Sequence, residues 1–215
     1  MEIAIGDPRS WPTRSSDNYQ LRAALTAASN GAVTSILAHP PETIDGGAVQ
    51  LRRVVVDDAA ALADAVGQSL DHLRPWMPWA TPQAATVRAQ TRYLEETTAR
   101  WEQGSDYVYG IGARGDPGIR GVIGLHRRIG PAGIEIGYWV HVAHAGRGLG
   151  LAAATAVTTA GLALPDVERV EIHTDEANVR SASIPTRLGY RLDRVDLRDP
   201  QAPAETGRLQ IWITP

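Results

Sequence analysis

The chain has 215 residues, 43% of them hydrophobic and 21% charged, with a formal net charge of -3, a size and apolar share that suit one folded domain with an appendage. Cys, Phe and Lys are all absent, every one of the 21 basic residues being Arg, which excludes disulfides, thiolate metal sites, a cysteine nucleophile, a P-loop lysine and Schiff-base catalysis. The charge balance lacks the basic footprint of a nucleic-acid binder, and no apolar run approaches the ~20 residues that span a bilayer.

Residues 1–48 carry Pro8, Pro12, Pro40 and Pro41, a Ser/Thr/Asn-rich stretch and Asp45-Gly46-Gly47, with a short Ala-rich helix over Tyr19–Ala28. They read as a weakly ordered extension, and the folded domain is expected over 49–215. Met1-Glu2-Ile3-Ala4 lacks the basic n-region of a secretion signal, so the expected setting is cytoplasmic. From Val49 to Val56 the β-branched residues predict a strand, and Asp57-Asp58 opens a helix with Leu62, Ala65, Val66, Ser69 and Leu70 on one face. The loop Arg74-Pro75-Trp76-Met77-Pro78-Trp79 breaks it before a second helix over Gln83–Trp101.

Three strands follow, Tyr107–Ala113, Arg120–Ile129 and Ile134–Val140, joined by Gly/Pro turns short enough for an antiparallel meander. A glycine-rich loop then leads into a helix over Gly148–Leu162. A strand (Val167–Thr174), a helix (Asn178–Leu188, with Pro185 delaying or kinking it) and two strands (Tyr190–Leu197, Arg208–Ile213) complete the chain. The order β-α-α-β-β-β-α-β-α-β-β describes an α+β fold, with a mixed, mostly antiparallel sheet flanked by helices.

The most informative segment is His141-Val142-Ala143-His144-Ala145-Gly146-Arg147-Gly148-Leu149-Gly150. A strand ends, glycines let the backbone turn, and a helix begins; its N–H groups and dipole make an anion site suited to a pyrophosphate, to which Arg147 adds a forked donor. Three readings are open: a dinucleotide site through Gly148-Leu149-Gly150-Leu151-Ala152-Ala153, with Glu168 and Glu171 about twenty residues on; a turn that merely permits close helix packing; or an acyl-CoA loop.

The last comes from resemblance. Gly148 and Gly150, with Arg147 before them, resemble the acyl-CoA loop of the GNAT N-acetyltransferases, although Ala145 stands where Arg or Gln is usual. Ile134-Glu135-Ile136-Gly137-Tyr138-Trp139-Val140, Asn178-Val179-Arg180-Ser181 with Leu188-Gly189-Tyr190, and Leu73-Arg74-Pro75-Trp76-Met77-Pro78-Trp79 resemble segments of the ribosomal-protein (Rim-type) N-terminal acetyltransferase branch. The resemblance covers roughly residues 49–213. It implies a GNAT-like fold and transfer of an acetyl group from acetyl-CoA to an amine, either a protein N-terminus or a small molecule, by direct attack.

On that resemblance, Ala145, Gly146, Arg147, Gly148, Leu149 and Gly150 bind the pyrophosphate, and the backbone at Val140 and Val142 orients the pantetheine arm. An N–H near Val140 polarises the thioester carbonyl. Glu135 and His173 are the candidate general bases. The tyrosine that relatives use to protonate the leaving thiolate is replaced by Pro185, so Ser181 is the remaining polar candidate, with Asn178 binding cofactor or capping the helix. Trp76, Trp79 and Tyr107, with Trp101 and Tyr109, are expected around the acceptor. His126, His141 and His144 do not form a metal-ligand spacing. No metal, membrane or nucleic-acid partner is expected, and a homodimer is compatible with the reading. A catalytically weak acyl-CoA-binding module, suggested by Ala145 and Pro185, and an NAD-type oxidoreductase are the alternatives.

Overall fold

The computed structural model describes residues 38–215 apart from Pro117. The strands are β1 (Thr43–Asp45), β2 (Gln50–Arg53), β3 (Asp106–Gly112), β4 (Gly121–His126), β5 (Gly133–Val140), β6 (Arg169–Asp175), β7 (Arg191–Leu197) and β8 (Arg208–Ile213). The helices are α1 (Ala59–Leu73), α2 (Val87–Glu102), α3 (Leu149–Leu162) and α4 (Val179–Arg187). One open sheet runs in the order β1-β2-β3-β4-β5-β6-β8-β7, and every neighbouring pair is antiparallel except β5 and β6.

The sheet starts earlier than the expected boundary at Val49. Asp45-Gly46-Gly47 is a hairpin turn, with Gly47 at φ 72° and its N–H bonded to Asp45 Oδ1 at 2.9 Å, and it pairs β1 with β2. Residues 38–48 are therefore part of the domain edge. The remainder of the expected extension, including the Tyr19–Ala28 helix, lies outside the described residues.

Period-two alternation sorts the strand residues into two cores. Tyr107, Tyr109, Ile111, Ile123, Leu125, Ile134, Ile136, Val170 and Ile172 pack with the small residues Ala153, Ala154 and Val157 of α3. Val108, Val122 and Trp139 face the other way, against Leu62, Val66 and Leu94 of α1 and α2. Small residues let α3 lie close to the sheet: a Cβ on Gly161 would stand 3.2 Å from Leu125 and 3.4 Å from Ile134. α2 is capped by Thr86, whose hydroxyl accepts from the Ala89 N–H, so it begins four residues later than the expected Gln83.

α4 keeps the expected span Asn178–Leu188, with those two residues as its caps, but its start is not delayed by Pro185. It runs through Pro185 from a start at Val179, and it is capped by Asn178, whose Oδ1 accepts from the Ser181 N–H at 3.2 Å. Proline removes the donor that would reach the carbonyl four residues back, here that of Ser181. That carbonyl accepts instead from the Tyr138 hydroxyl at 3.1 Å.

Candidate active site

The parallel register of β5 and β6 ends at Ile136 opposite Ile172. Beyond it β5 continues on β4 to Val140, while β6 continues on β8 to Asp175, so the two strands part and leave a wedge. The N–H of His141 bonds the Arg120 carbonyl at 2.9 Å, which makes Gly121 and Val140 a non-hydrogen-bonded pair. The ladder alternation then turns the backbone N–H and C=O of both Tyr138 and Val140 away from β4 and into the wedge. The Val140 N–H is thus turned toward the wedge, the position in which a polarising donor is expected.

The chain leaves the wedge through one 3-10 turn, Val142–His144, and enters α3. The Val142 N–H is held by the fully buried Ser69 of α1, whose Oγ accepts at 3.1 Å, so the pantetheine contact expected there has only the Val142 carbonyl side open to it. That carbonyl in turn accepts from the Ala145 N–H at 3.3 Å. Gly146 and Gly148 take left-handed φ values of 73° and 82°, which side-chain-bearing residues rarely adopt. Gly148 is the N-cap of α3 and offers no capping side chain, so the first N–H groups of the helix, from Leu149 and Gly150 onward, point outward as an anion cradle. Gly150 serves a second purpose: a Cβ there would lie 3.1 Å from Ile184 of α4 and 3.5 Å from Val140. The segment Ala145–Gly150 thus fits a pyrophosphate. The dinucleotide alternative lacks its frame, since that motif belongs to a parallel doubly wound sheet and this one has a single parallel pair.

On the α1/α2 face of the sheet a cleft of about 420 Å3 opens beside the wedge. Trp76 and Trp79 wall it as expected, and Asn178 and Ser181 reach it from α4. The Pro75 carbonyl accepts from the Ala204 N–H at 2.9 Å, joining the loop after α1 to the β7–β8 loop, both of which contribute residues to the cleft. Asp175 anchors that second loop by accepting from the backbone N–H groups of Thr206 and Gly207, each at 3.0 Å. Tyr107 is elsewhere. It points into the α3 core with Trp101 and Tyr109, their rings in edge-to-face contact, because alternation along β3 gives the cleft face to Asp106 and Val108. The Tyr109 hydroxyl reaches back to the Pro41 carbonyl at 3.0 Å, tying down the segment before β1.

A row of charged and titratable residues crosses the sheet, and two of its members, His126 and Glu135, line the cleft. Asp106, His126, Glu135 and Glu171 stand directly opposite one another on β3, β4, β5 and β6. Glu135 is 3% exposed, and both its oxygens accept from Arg128, at 2.7 and 2.8 Å. Burial alone would raise its pKa, but the Arg128 guanidinium, helped by the nearby His173, holds it down to about 2. A carboxylate so held is a weak proton acceptor. His173 Nε2 lies 2.7 Å from Glu171 Oε2 and its Nδ1 3.7 Å from Glu135 Oε2, so both ring nitrogens face carboxylates. The two expected bases therefore meet in one ion cluster, where they serve each other.

Ser181 is brought to the mouth of the wedge, its Oγ 2.9 Å from the Tyr138 hydroxyl. Burial pushes the Tyr138 hydroxyl up to about 12, against a smaller lowering from its bond to Ser181. Residue reasoning missed Tyr138, Ser69, Arg128 and the Asp106–His126 contact, which is 3.0 Å from Oδ1 to Nδ1. Alternation within each strand was visible, but the register that lines up four strands was not.

The family model described as an acetyltransferase (GNAT) domain matches residues 49–191. No curated protein sequence is detectably similar to the chain. Among solved structures, Mycobacterium smegmatis RimJ in complex with CoA-disulfide superposes with a TM-score of 0.73 at 21% identity, over 82% of this chain and 90% of that one. The microcin C7 self-immunity acetyltransferase MccE, in complex with acetyl-CoA and AMP, gives 0.72 at 18%, over 83% and 97%. The Salmonella typhimurium acetyltransferase that modifies the N-terminal serine of 50S ribosomal subunit protein L7/L12 gives 0.70 at 18%, over 80% and 98%. With the wedge, the glycine cradle and two thirds of the sequence in agreement, the chain belongs to the GNAT family of acetyl-CoA-dependent N-acetyltransferases.

Proposed function

We propose that this enzyme acetylates the α-amine at the N-terminus of a protein or peptide. The observation that carries the reading is the cleft itself, about 420 Å3 in volume and lined from Trp76 and Trp79 across to Tyr138, Asn178 and Ser181 beside the wedge. That space suits the first residues of an extended chain. The similarity to structures whose names describe acetylation of ribosomal protein L7/L12 at its N-terminal serine or α-nitrogen favours such an acceptor.

Each residue then has a task. The backbone of Ala145–Gly150, with Arg147, holds the pyrophosphate of acetyl-CoA, and the wedge receives the pantetheine arm along β5. The Val140 N–H donates to the thioester carbonyl and strengthens as charge develops there; one such donor is worth about 10²–10³ in rate. The amine nitrogen forms the new C–N bond as the C–S bond breaks. Ser181 donates its hydroxyl proton in a hydrogen bond to the departing sulfur, which takes up a proton as CoA thiol. Trp76 and Trp79 shield the reacting carbons from water, and Asn178 holds Ser181 at the first turn of α4. Among the described residues no helix is long and apolar enough to cross a membrane. Use of acetyl-CoA favours work in the cytoplasm.

The test is a panel of acceptors with acetyl-CoA, followed by thiol release: short peptides with N-terminal Ser or Ala, the same peptides with blocked N-termini, and small amines. Release with the free peptides alone supports the reading. Release with small amines alone replaces it by a small-molecule acceptor, and CoA binding without release points to the binding module.

A further inference from the structure

We propose that Asp106 and His126 are the proton-accepting pair of this enzyme, with His126 Nε2 as the general base for the acceptor amine and Asp106 as its positioning residue. The proposal rests on the amine-acetylation reading above. Asp106 and His126 are direct cross-strand partners on β3 and β4, both on the cleft face. The Asp106 carboxylate lies 3.0 Å from His126 Nδ1, and this buried carboxylate's pKa is lowered: desolvation is the largest single effect and opposes the shift, but the bond to His126 and the charges of His126, Arg100 and Arg128 together outweigh it. A carboxylate accepting from Nδ1 fixes the tautomer that leaves Nε2 bare as an acceptor. Nε2 has no hydrogen-bonding partner among the described residues.

The direction of the ring is set by two glycines. Gly124 and Gly137 are opposite one another on β4 and β5, the next cleft-facing pair after His126 and Glu135. A Cβ on Gly124 would come within 2.7 Å of His126 Nε2, and one on Gly137 within 3.3 Å. The ring therefore lies flat across bare backbone and points along the strands toward Trp139 and the wedge. From Gly137 to Val140 is three residues, about 10 Å of strand, a span that an amine and one bridging water would fill. Either glycine, given a side chain, would push the ring off this course. Neither Glu135, clamped by Arg128, nor His173, facing two carboxylates, has a comparable acceptor to offer.

The step balances simply. The amine lone pair bonds to the acetyl carbon, the C–S pair leaves with sulfur, and the proton lost by nitrogen passes to His126 Nε2, directly or through that water. A proton then reaches the thiolate, and the histidine returns to its starting form.

The titratable and charged groups around His126 are Asp106 with its neighbour Arg100 (3.6 Å), Glu135, Arg128, His173 and, from α2, Tyr93. The test compares H126N and D106N with the unaltered protein, using whichever amine it turns over, across the pH range and beside CoA affinity by calorimetry. In H126N the amide nitrogen replaces Nδ1, so the bond to Asp106 survives while the base is gone. The expected result is a kcat about 10²–10⁴-fold lower, unchanged CoA affinity, and loss of the acid limb of the kcat/KM profile. D106N, which admits the wrong tautomer, should move that limb and lower kcat without raising KM. H126Q, whose amide reaches the Nε2 position and which also lacks a base, serves for the kcat and acid-limb readouts should H126N not fold. An H126N protein with the parent kcat and acid limb overturns the proposal alone. A parent that releases no thiol with any amine overturns the acceptor reading and this proposal together.

Discussion

Tyr138 donates its hydroxyl to the carbonyl of Ser181 at 3.1 Å and stands 2.9 Å from the same residue's Oγ, a contact that links β5 to α4 across the mouth of the wedge. The carbonyl is open to it because position 185 is proline, which has no N–H for the residue four back. The proline that stands where relatives carry a tyrosine acid therefore also lets a different tyrosine bind Ser181, the serine proposed to serve the departing sulfur.

This link makes a coupled prediction. Y138F leaves a part-buried carbonyl without its donor and should cost about 1–3 kcal/mol of stability. P185A restores a backbone donor to that carbonyl, so Y138F should cost less in the P185A background. Urea unfolding of the four proteins closes the cycle, and equal costs in both backgrounds would remove the link.

The Glu135–Arg128 pair is buried, and breaking one side of such a pair strands the other charge. E135Q should lose about 3–5 kcal/mol in urea unfolding. The sign with pH follows from the lowered pKa of Glu135: its contribution is present above the ordinary carboxylate range and is lost as pH falls toward about 2. The stability gap between the parent and E135Q should therefore narrow on acidification. A gap that is constant or grows would contradict the pairing.

Ser69 holds the turn that delivers the glycine cradle. S69A leaves the Val142 N–H without its acceptor and should cost about 1–3 kcal/mol while weakening CoA binding, since the cradle begins three residues on. Calorimetry with CoA measures the second effect. An unchanged affinity would show that α1 does not steady the loop.

Gly148 carries the cradle's left-handed turn at φ 82° with nothing within 4 Å of its missing Cβ, so G148A is a test of backbone strain and not of crowding. The substitution should cost about 1–3 kcal/mol and reduce CoA affinity. G150A should act through a different cause, by pressing on Ile184 and Val140, and should loosen α4 as well.

The element order was almost wholly legible in the residues. Strong alternation in Tyr107–Ala113 and Ile134–Val140 and the glycine loop before the Ala-rich helix led directly to the strands and helix observed. Three features resisted, each for a physical reason. β1 has three residues and depends on pairing with β2, so its local pattern is too short to declare a strand. The persistence of α4 through Pro185 depends on a donor supplied from β5, far away in the chain. Tyr107 is aromatic and next to Asp106, but only the register decides which of the two faces the cleft. The site divides likewise: the cradle Ala145–Gly150, Asn178, Ser181, Trp76 and Trp79 announce themselves locally, whereas Asp106, His126, Glu135 and Glu171 become one row only when four strands are aligned.

The central claim is that acetyl passes from acetyl-CoA to an amine held in this cleft. The most direct measurement is thiol release from acetyl-CoA in the presence of a peptide with a free N-terminal Ser or Ala, with the product peptide weighed by mass spectrometry. The account predicts thiol release matched one for one by a peptide carrying a single N-terminal acetyl group. Tight CoA binding with no thiol released by any amine would contradict it.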